Sequence, residues 1–109
     1  MGWVSHLQDS GFTVRTTDVP DVRPIKIENE VPPRLGSCHT ALVDGYVIEG
    51  HVPAEDIERL LKERPDIAGI SVPGMPVGAP GMEGPNPQEF AVISFDDDGQ
   101  MKLFATHTP

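Results

Sequence analysis

Apolar and polar positions recur along the first third of the chain in patterns that predict short elements. Trp3, Val4 and Leu7 lie at helical spacing, and Gly11 stands where a helix C-terminal glycine is expected, so a helix is predicted at the start. Residues 12–18 alternate in character, which predicts a strand. Residues 21–31 are ambiguous, and they allow a short helix only if Pro24 falls in its first turn.

A hairpin and a helix are the clearest elements in the middle of the chain. Residues 40–43 and 46–48 are joined by Asp44-Gly45, a dipeptide that supplies the positive φ angles of a type I′ turn. The segment 53–64 predicts an amphipathic helix with Pro53 at its first position. Its predicted buried stripe is Ile57, Leu60 and Leu61, and the predicted i,i+4 ion pairs are Glu55–Arg59 and Glu58–Lys62.

The last third of the chain predicts β-structure interrupted by a long loop. Residues 67–72 favour a short strand, and the Gly- and Pro-rich residues 73–87 are too long to be a simple connection in so small a protein. Residues 90–95 and 101–106 predict a second hairpin around Asp98-Gly99. We therefore expect one α+β domain over residues 1–109.

Charge and composition exclude several classes of function. The formal net charge is −9, and eight scattered Lys and Arg do not form the basic stripe that nucleic acid or an anionic membrane surface requires. No apolar run approaches the length of a membrane span, and the start of the chain lacks the pattern of an export signal. The single cysteine excludes an intrachain disulfide.

The candidate chemistry is that of a soft metal site. Cys38 and His39 are adjacent, His51 follows the first hairpin, and Met75 and Met82 lie in the Gly- and Pro-rich loop. Thiolate, imidazole and thioether groups suit Cu(I) above all. One cysteine is too few for a self-sufficient thiolate site, so the site is weak or part of it lies outside this chain. The alternative is that Cys38 is an inert small hydrophobe and that the methionines pack the loop onto the core.

Three motifs in the same order resemble one bacterial family. They are Ser-Cys-His-Thr-Ala at 37–41, Gly-Tyr-Val-Ile-Glu-Gly-His-Val-Pro-Ala-Glu-Asp-Ile at 45–57, and Val-Pro-Gly-Met-Pro-Val-Gly-Ala-Pro-Gly-Met-Glu-Gly at 72–84. This family of unknown function, numbered 411, includes the CopG-type copper-resistance proteins, and the resemblance extends over nearly the whole chain.

The resemblance implies a thioredoxin-like, periplasmic protein that binds copper through a Cys-x-Cys-Cys motif and a later cysteine. In the family that motif stands shortly before a Trp-Val-x-His-Leu helix, whereas here only Met1 and Gly2 precede Trp3. We therefore expect a thioredoxin-like fold without its first strand and its main cysteine ligands. The resemblance makes Cys38 the later cysteine and offers His39, Met75 and Met82 as further copper ligands.

Two other classes of function stay open at this point. A thiol-redox or copper-redox enzyme is an alternative for a longer form, but cysteine catalysis by this chain is disfavoured, because neighbouring residues such as Cys38 and His39 on one extended segment point to opposite faces. A protein-interaction module without metal is the other alternative. An exposed sheet edge left by the missing strand would favour a homodimer.

Overall fold

The computed structural model describes residues 2–15, 21, 23–29, 31–32, 35–36, 39–74, 79–80, 84 and 88–107. Within them the helices are α1 (Gly2–Asp9), α2 (Arg23–Glu28) and α3 (Ala54–Glu63). The strands are β1 (Thr40–Val43), β2 (Tyr46–Glu49), β3 (Gly69–Ser71), β4 (Phe90–Phe95) and β5 (Met101–His107). None of these helices is long and apolar enough to span a bilayer.

The strands form one sheet in the order β1-β2-β3-β4-β5. β2 and β3 are parallel, as expected for strands connected through a helix, here α3, and the other neighbouring pairs are antiparallel. The α+β class predicted from the sequence is confirmed, whereas the thioredoxin-like assignment stays a prediction.

Turn chemistry accounts for the first hairpin and for the end of α1. Asp44 and Gly45 have φ angles of 47° and 88°, so the predicted type I′ turn is confirmed. Gly11, at φ 97°, follows α1 as predicted. α2 forms within the segment that the sequence left ambiguous, and Pro24 lies in its first turn, which was the condition for a helix there.

The α3 prediction is confirmed in its buried face and wrong in two details. Ile57 and Leu60 are fully buried and Leu61 is partly buried, so the apolar stripe packs onto the sheet. Pro53 is the N-cap and not the first helical residue, because its extended ψ of 146° places it outside the helix. Among the described residues the i,i+4 ion pair on this helix is Arg59–Glu63 and not either predicted pair.

The predicted strand over residues 12–18 is wrong for residues 12–15, and residues 16–18 lie outside the described part of the chain. Alternation alone does not make a strand, because strand backbone needs a hydrogen-bonded neighbour. Residues 12–15 instead line a groove of about 750 Å³ that also borders β1. Phe12 and Val14 still pack against the main core.

Apolar side chains pack into two clusters against the sheet. The main cluster joins α1 and α3 to one face and includes Trp3, Ile48, Ile57, Leu60 and Ile70. A smaller cluster consists of Val31, Leu35, Val47 and Phe95. The segment from His39 into β1 and the turn after β2 therefore meet α1 at the rim of the main core, where the candidate site lies.

Candidate functional site

Three aromatic rings meet where α1 begins, β1 begins and β2 ends. The His39 ring lies 4.5 Å from the Trp3 ring and 4.9 Å from the His51 ring, measured between centroids. The indole Nε1–H of Trp3 donates to the Val52 carbonyl at 2.8 Å, which fixes the start of α1 to the turn before α3. We name Trp3, His39 and His51 the ring cluster.

Burial keeps the His39 imidazole neutral. Desolvation, followed by the nearby His51, lowers the pKa of His39 from 6.5 to about 4, and Lys26 contributes in the same direction. A hydrogen bond with the Gly50 backbone opposes the shift without cancelling it. Around neutral pH this ring therefore presents the form of histidine that binds metals.

His51 connects the ring cluster to the Gly- and Pro-rich loop. Its Nδ1 lies 2.6 Å from the Pro80 carbonyl oxygen. Because a carbonyl only accepts hydrogen bonds, Nδ1 carries the hydrogen, which leaves Nε2 as the nitrogen that could bind a metal. The residue is 5% exposed, so this geometry is held by its surroundings.

A second link joins the same two stretches of chain. The backbone N–H of Gly74 donates to the Gly36 carbonyl at 3.4 Å. Gly36 is two positions before Cys38, and Gly74 is one position before Met75. Together with the His39–His51–Pro80 contacts, this bond ties the described residues on both sides of Cys38 to the described residues that flank Met75.

A buried ion pair lies beside the ring cluster. The Lys26 ammonium of α2 donates to the Glu49 carboxylate at the end of β2 and to the Thr40 hydroxyl, and the Thr40 hydroxyl donates to Glu49 at 2.6 Å. The side chain of Glu49 is 0% exposed and that of Lys26 is 15% exposed. The contacts fix α2, the start of β1 and the end of β2 in one arrangement.

The structure places one of the four predicted ligands in this site. His39 is a member of the ring cluster, whereas Cys38, Met75 and Met82 lie outside the described residues. Within the part of the chain that the structure describes, no group of three or more His, Cys, Asp or Glu side chains is arranged to hold a metal ion. The donors available there are imidazoles, which suit copper and need softer donors beside them for Cu(I).

Sequence reasoning missed two contributions to this region. Trp3 was interpreted as a helix-face residue, and its contact with His39 joins positions 36 residues apart that no local pattern connects. His6 was not singled out, yet its Nε2 accepts the backbone N–H of Ala54 at 3.0 Å and so satisfies a donor at the start of α3. The Trp-Val-x-His-Leu resemblance was the available signal for both.

A separate cluster of one histidine and two carboxylates lies at the first turn of α3. His107 Nε2 is 2.6 Å from an Asp56 carboxylate oxygen, its Nδ1 is 3.5 Å from Glu55, and its ring stacks on Phe90 at 5.0 Å. Burial raises the pKa of Asp56, and the contact with His107 offsets part of that effect. We name His107, Asp56 and Glu55 the carboxylate cluster.

Solved proteins resemble this chain over nearly its whole length. The family model described as "Protein of unknown function, DUF411" matches residues 35–82. A solved structure of copper resistance protein CopG, form 2, is 42% identical with a TM-score of 0.91, and the match covers 97% of this chain and 86% of that one. The chain belongs to the DUF411 family of CopG-type proteins.

A second solved CopG structure gives the same relation. Form 1 is 41% identical, with a TM-score of 0.92, and the match covers 99% of this chain and 86% of the solved chain. Part of each solved CopG chain therefore has no counterpart in the match. No curated protein sequence matches this DUF411 chain.

Proposed function

We propose that this protein acts in bacterial copper resistance by binding copper as Cu(I), with Cys38 as the thiolate that this chain contributes. His39, Met75 and Met82 are the accompanying ligands. Further thiolates come from a Cys-x-Cys-Cys segment ahead of α1, and the chain without that segment holds copper weakly. The protein acts in the periplasm.

The observation that carries this proposal is the likeness to copper resistance protein CopG at 41–42% identity over nearly the whole chain. Identity at this level over nearly the whole of this chain supports a related copper site as well as a shared fold. The geometry supports the same location. The Gly36–Gly74 bond and the His51–Pro80 contact hold together the stretches that flank Cys38 and Met75.

The described side chains suit the chemistry of a copper site. His39 stays neutral, so its imidazole can donate a lone pair, and His51 Nδ1 bonds to the Pro80 carbonyl, which leaves Nε2 as the nitrogen of that ring that could bind a metal. Trp3 covers one side of His39 and limits the access of water to it. Ligand positions fixed before the metal arrives reduce the ordering cost of binding.

Competition for Cu(I) tests the proposal. The protein is titrated against a Cu(I)-selective chelator, and nearly all copper is expected to stay with the chelator, because imidazoles and thioethers with one thiolate give a weak site. Stoichiometric retention of Cu(I) would contradict the need for a cysteine segment ahead of α1.

A version carrying a Cys-x-Cys-Cys segment ahead of Gly2 is expected to bind Cu(I) and to lose much of that affinity when Cys38 is replaced by Ala. His39→Gln tests the imidazole, with His107→Gln, which lies outside the ring cluster, as a control. Met75→Leu and Met82→Leu are compared with Met101→Leu in β5. Equal affinity with and without Cys38 would remove Cys38 from the site.

A further inference from the structure

A buried polar network lies at the end of the β1–β2 ladder, next to the ring cluster. Thr40 and Glu49 are register partners, and they form the pair of this ladder farthest from the turn. The Thr40 hydroxyl donates to one Glu49 carboxylate oxygen, and the Lys26 ammonium of α2 donates to the other oxygen and to the Thr40 hydroxyl. Each of the three side chains therefore bonds to the other two. We name Lys26, Thr40 and Glu49 the ion-pair network.

The two strand residues of the network lie beside the ring cluster in the sequence. Thr40 directly follows His39, and Glu49 stands two positions before His51. Past the Thr40–Glu49 pair, the Gly50 N–H donates to the His39 carbonyl at 3.0 Å. Because His39 and Thr40 share a planar peptide bond, fixing Thr40 restricts the orientations that His39 can adopt.

Glu49 also contacts the strand that leads to the Gly- and Pro-rich loop. It pairs with Ser71 of β3, and its carbonyl accepts the Val72 N–H at 3.0 Å. Met75 follows three positions after Val72. One buried residue therefore adjoins both stretches of chain that lead to proposed copper ligands.

Stability alone does not account for the ion-pair network. The side chain of Glu49 is 0% exposed and that of Lys26 is 15% exposed, so both charges have left water. The desolvation of such a pair offsets most of its attraction, and apolar side chains of similar volume are often as stable. A fully bonded polar network has, in contrast, one arrangement that satisfies its members. What the network adds is a defined geometry.

We propose that Lys26, Thr40 and Glu49 are positioning residues of the copper site. They hold the end of β1 in one orientation, so that His39 and the neighbouring Cys38 are ordered before copper arrives, which lowers the ordering cost of binding. None of the three is assigned a contact with copper. This inference rests on the proposed function.

Thr40→Val and Thr40→Ser form a matched pair that tests the network. Valine keeps the shape and loses the hydroxyl, so the Cu(I) affinity of the protein carrying the added Cys-x-Cys-Cys segment is expected to fall at least about fivefold. Serine keeps the hydroxyl, and affinity is expected to stay within about twofold of the wild type. Titration against the Cu(I)-selective chelator measures both variants. Equal affinities for the two would overturn the proposal.

Replacing the whole network by apolar residues separates geometry from stability. The variant Lys26→Met/Thr40→Val/Glu49→Val removes both charges and all three side-chain bonds, and its thermal midpoint is expected at or above that of the wild type. Its Cu(I) affinity is nevertheless expected to fall at least about tenfold. An unfolded variant would show that the network serves stability, and a folded variant with wild-type affinity would show that copper does not need it. Either result would contradict the proposal.

A readout without metal distinguishes this inference from the proposed function. The His39 ring lies 4.5 Å from the Trp3 ring, so the indole ring current shifts the NMR signals of the His39 ring protons. In the chain without the added segment, Thr40→Val is expected to move these signals and to speed amide exchange at Gly50, and Thr40→Ser is expected to match the wild type. No difference between the variants would overturn the positioning of His39. A difference in a protein whose extended wild type binds no Cu(I) would retain that positioning and reject copper as the ligand.

Discussion

The ring cluster and the carboxylate cluster place histidines in opposite electrostatic surroundings, although both adjoin the start of α3. His39 has aromatic rings as its nearest neighbours and a lysine ammonium nearby, and desolvation lowers its pKa to about 4. His107 instead contacts two carboxylates. The first arrangement favours a neutral ring that can bind a metal, and the second connects β5 to α3 through contacts with carboxylates.

This difference shows that residue type alone does not define a histidine site. The surroundings decide whether the imidazole offers a lone pair or a proton. Beside the ring cluster, the Lys26 ammonium bonds to Glu49 and Thr40 and not to a histidine. In the carboxylate cluster the acidic groups contact the histidine directly.

The largest expected effect concerns the ion pair that supports the ring cluster. Lys26→Met leaves the fully buried carboxylate of Glu49 without its lysine partner, which should lower the free energy of unfolding by about 3–5 kcal/mol. Chemical denaturation measures it, with Lys62→Met on the exposed face of α3 as the control. The double variant Lys26→Met/Glu49→Gln should recover part of the loss, and a loss below about 1 kcal/mol in the single variant would mean that the pair contributes little.

The next effect tests whether both clusters depend on the packing of α3. Leu60 is 0% exposed, and Leu60→Ala should lower the free energy of unfolding by roughly 2–5 kcal/mol. Asp97→Ala, at the exposed tip of the second hairpin, should change it by about 0.5 kcal/mol or less. Thermal melts compare the two variants, and similar midpoints would contradict the packing of α3 on the sheet.

Acid should weaken the ring cluster. The pKa of His39 is lower in the folded protein than its ordinary 6.5, so its contribution to stability is present above pH 6.5 and is lost as the pH falls toward about 4. His39→Phe keeps an aromatic ring beside Trp3 and removes the titration. As the pH falls across this range, the unfolding free energy of the wild type should therefore decrease relative to that of the variant. A constant difference would show that His39 is not desolvated.

The smallest expected effect is the pH dependence of the carboxylate cluster, where acid should stabilise the fold and not weaken it. The pKa of Asp56 is raised, so its contribution is present below the ordinary value of 3.8 and is lost as the pH rises through the raised value. Asp56→Asn keeps a side-chain oxygen near His107 and removes the titration. Wild-type stability should increase relative to the variant on acidification, and denaturation at several pH values measures this. A relative decrease would mean that contact with His107 outweighs burial.

Local pattern was sufficient for the elements whose chemistry is local. The Asp44-Gly45 turn, the placement of Pro24 in α2 and the buried face of α3 follow from residues within a few positions of one another. The strand predicted over residues 12–18 failed for residues 12–15 because a strand also needs a partner, and the described residues provide none there. His39 was identified as a candidate from its position beside Cys38, without any knowledge of its neighbours.

By itself, the sequence determined the α+β class, the hairpins, the amphipathic face of α3 and, through its motifs, the family. Tertiary structure alone decided that Trp3 and His51 would adjoin His39, that Lys26 would meet Glu49, and that His107 would contact Asp56. These pairs are 12 to 51 positions apart. Turns and helix faces depend on backbone preferences a few residues long, whereas a pKa depends on burial and on charges that only the packed chain brings together.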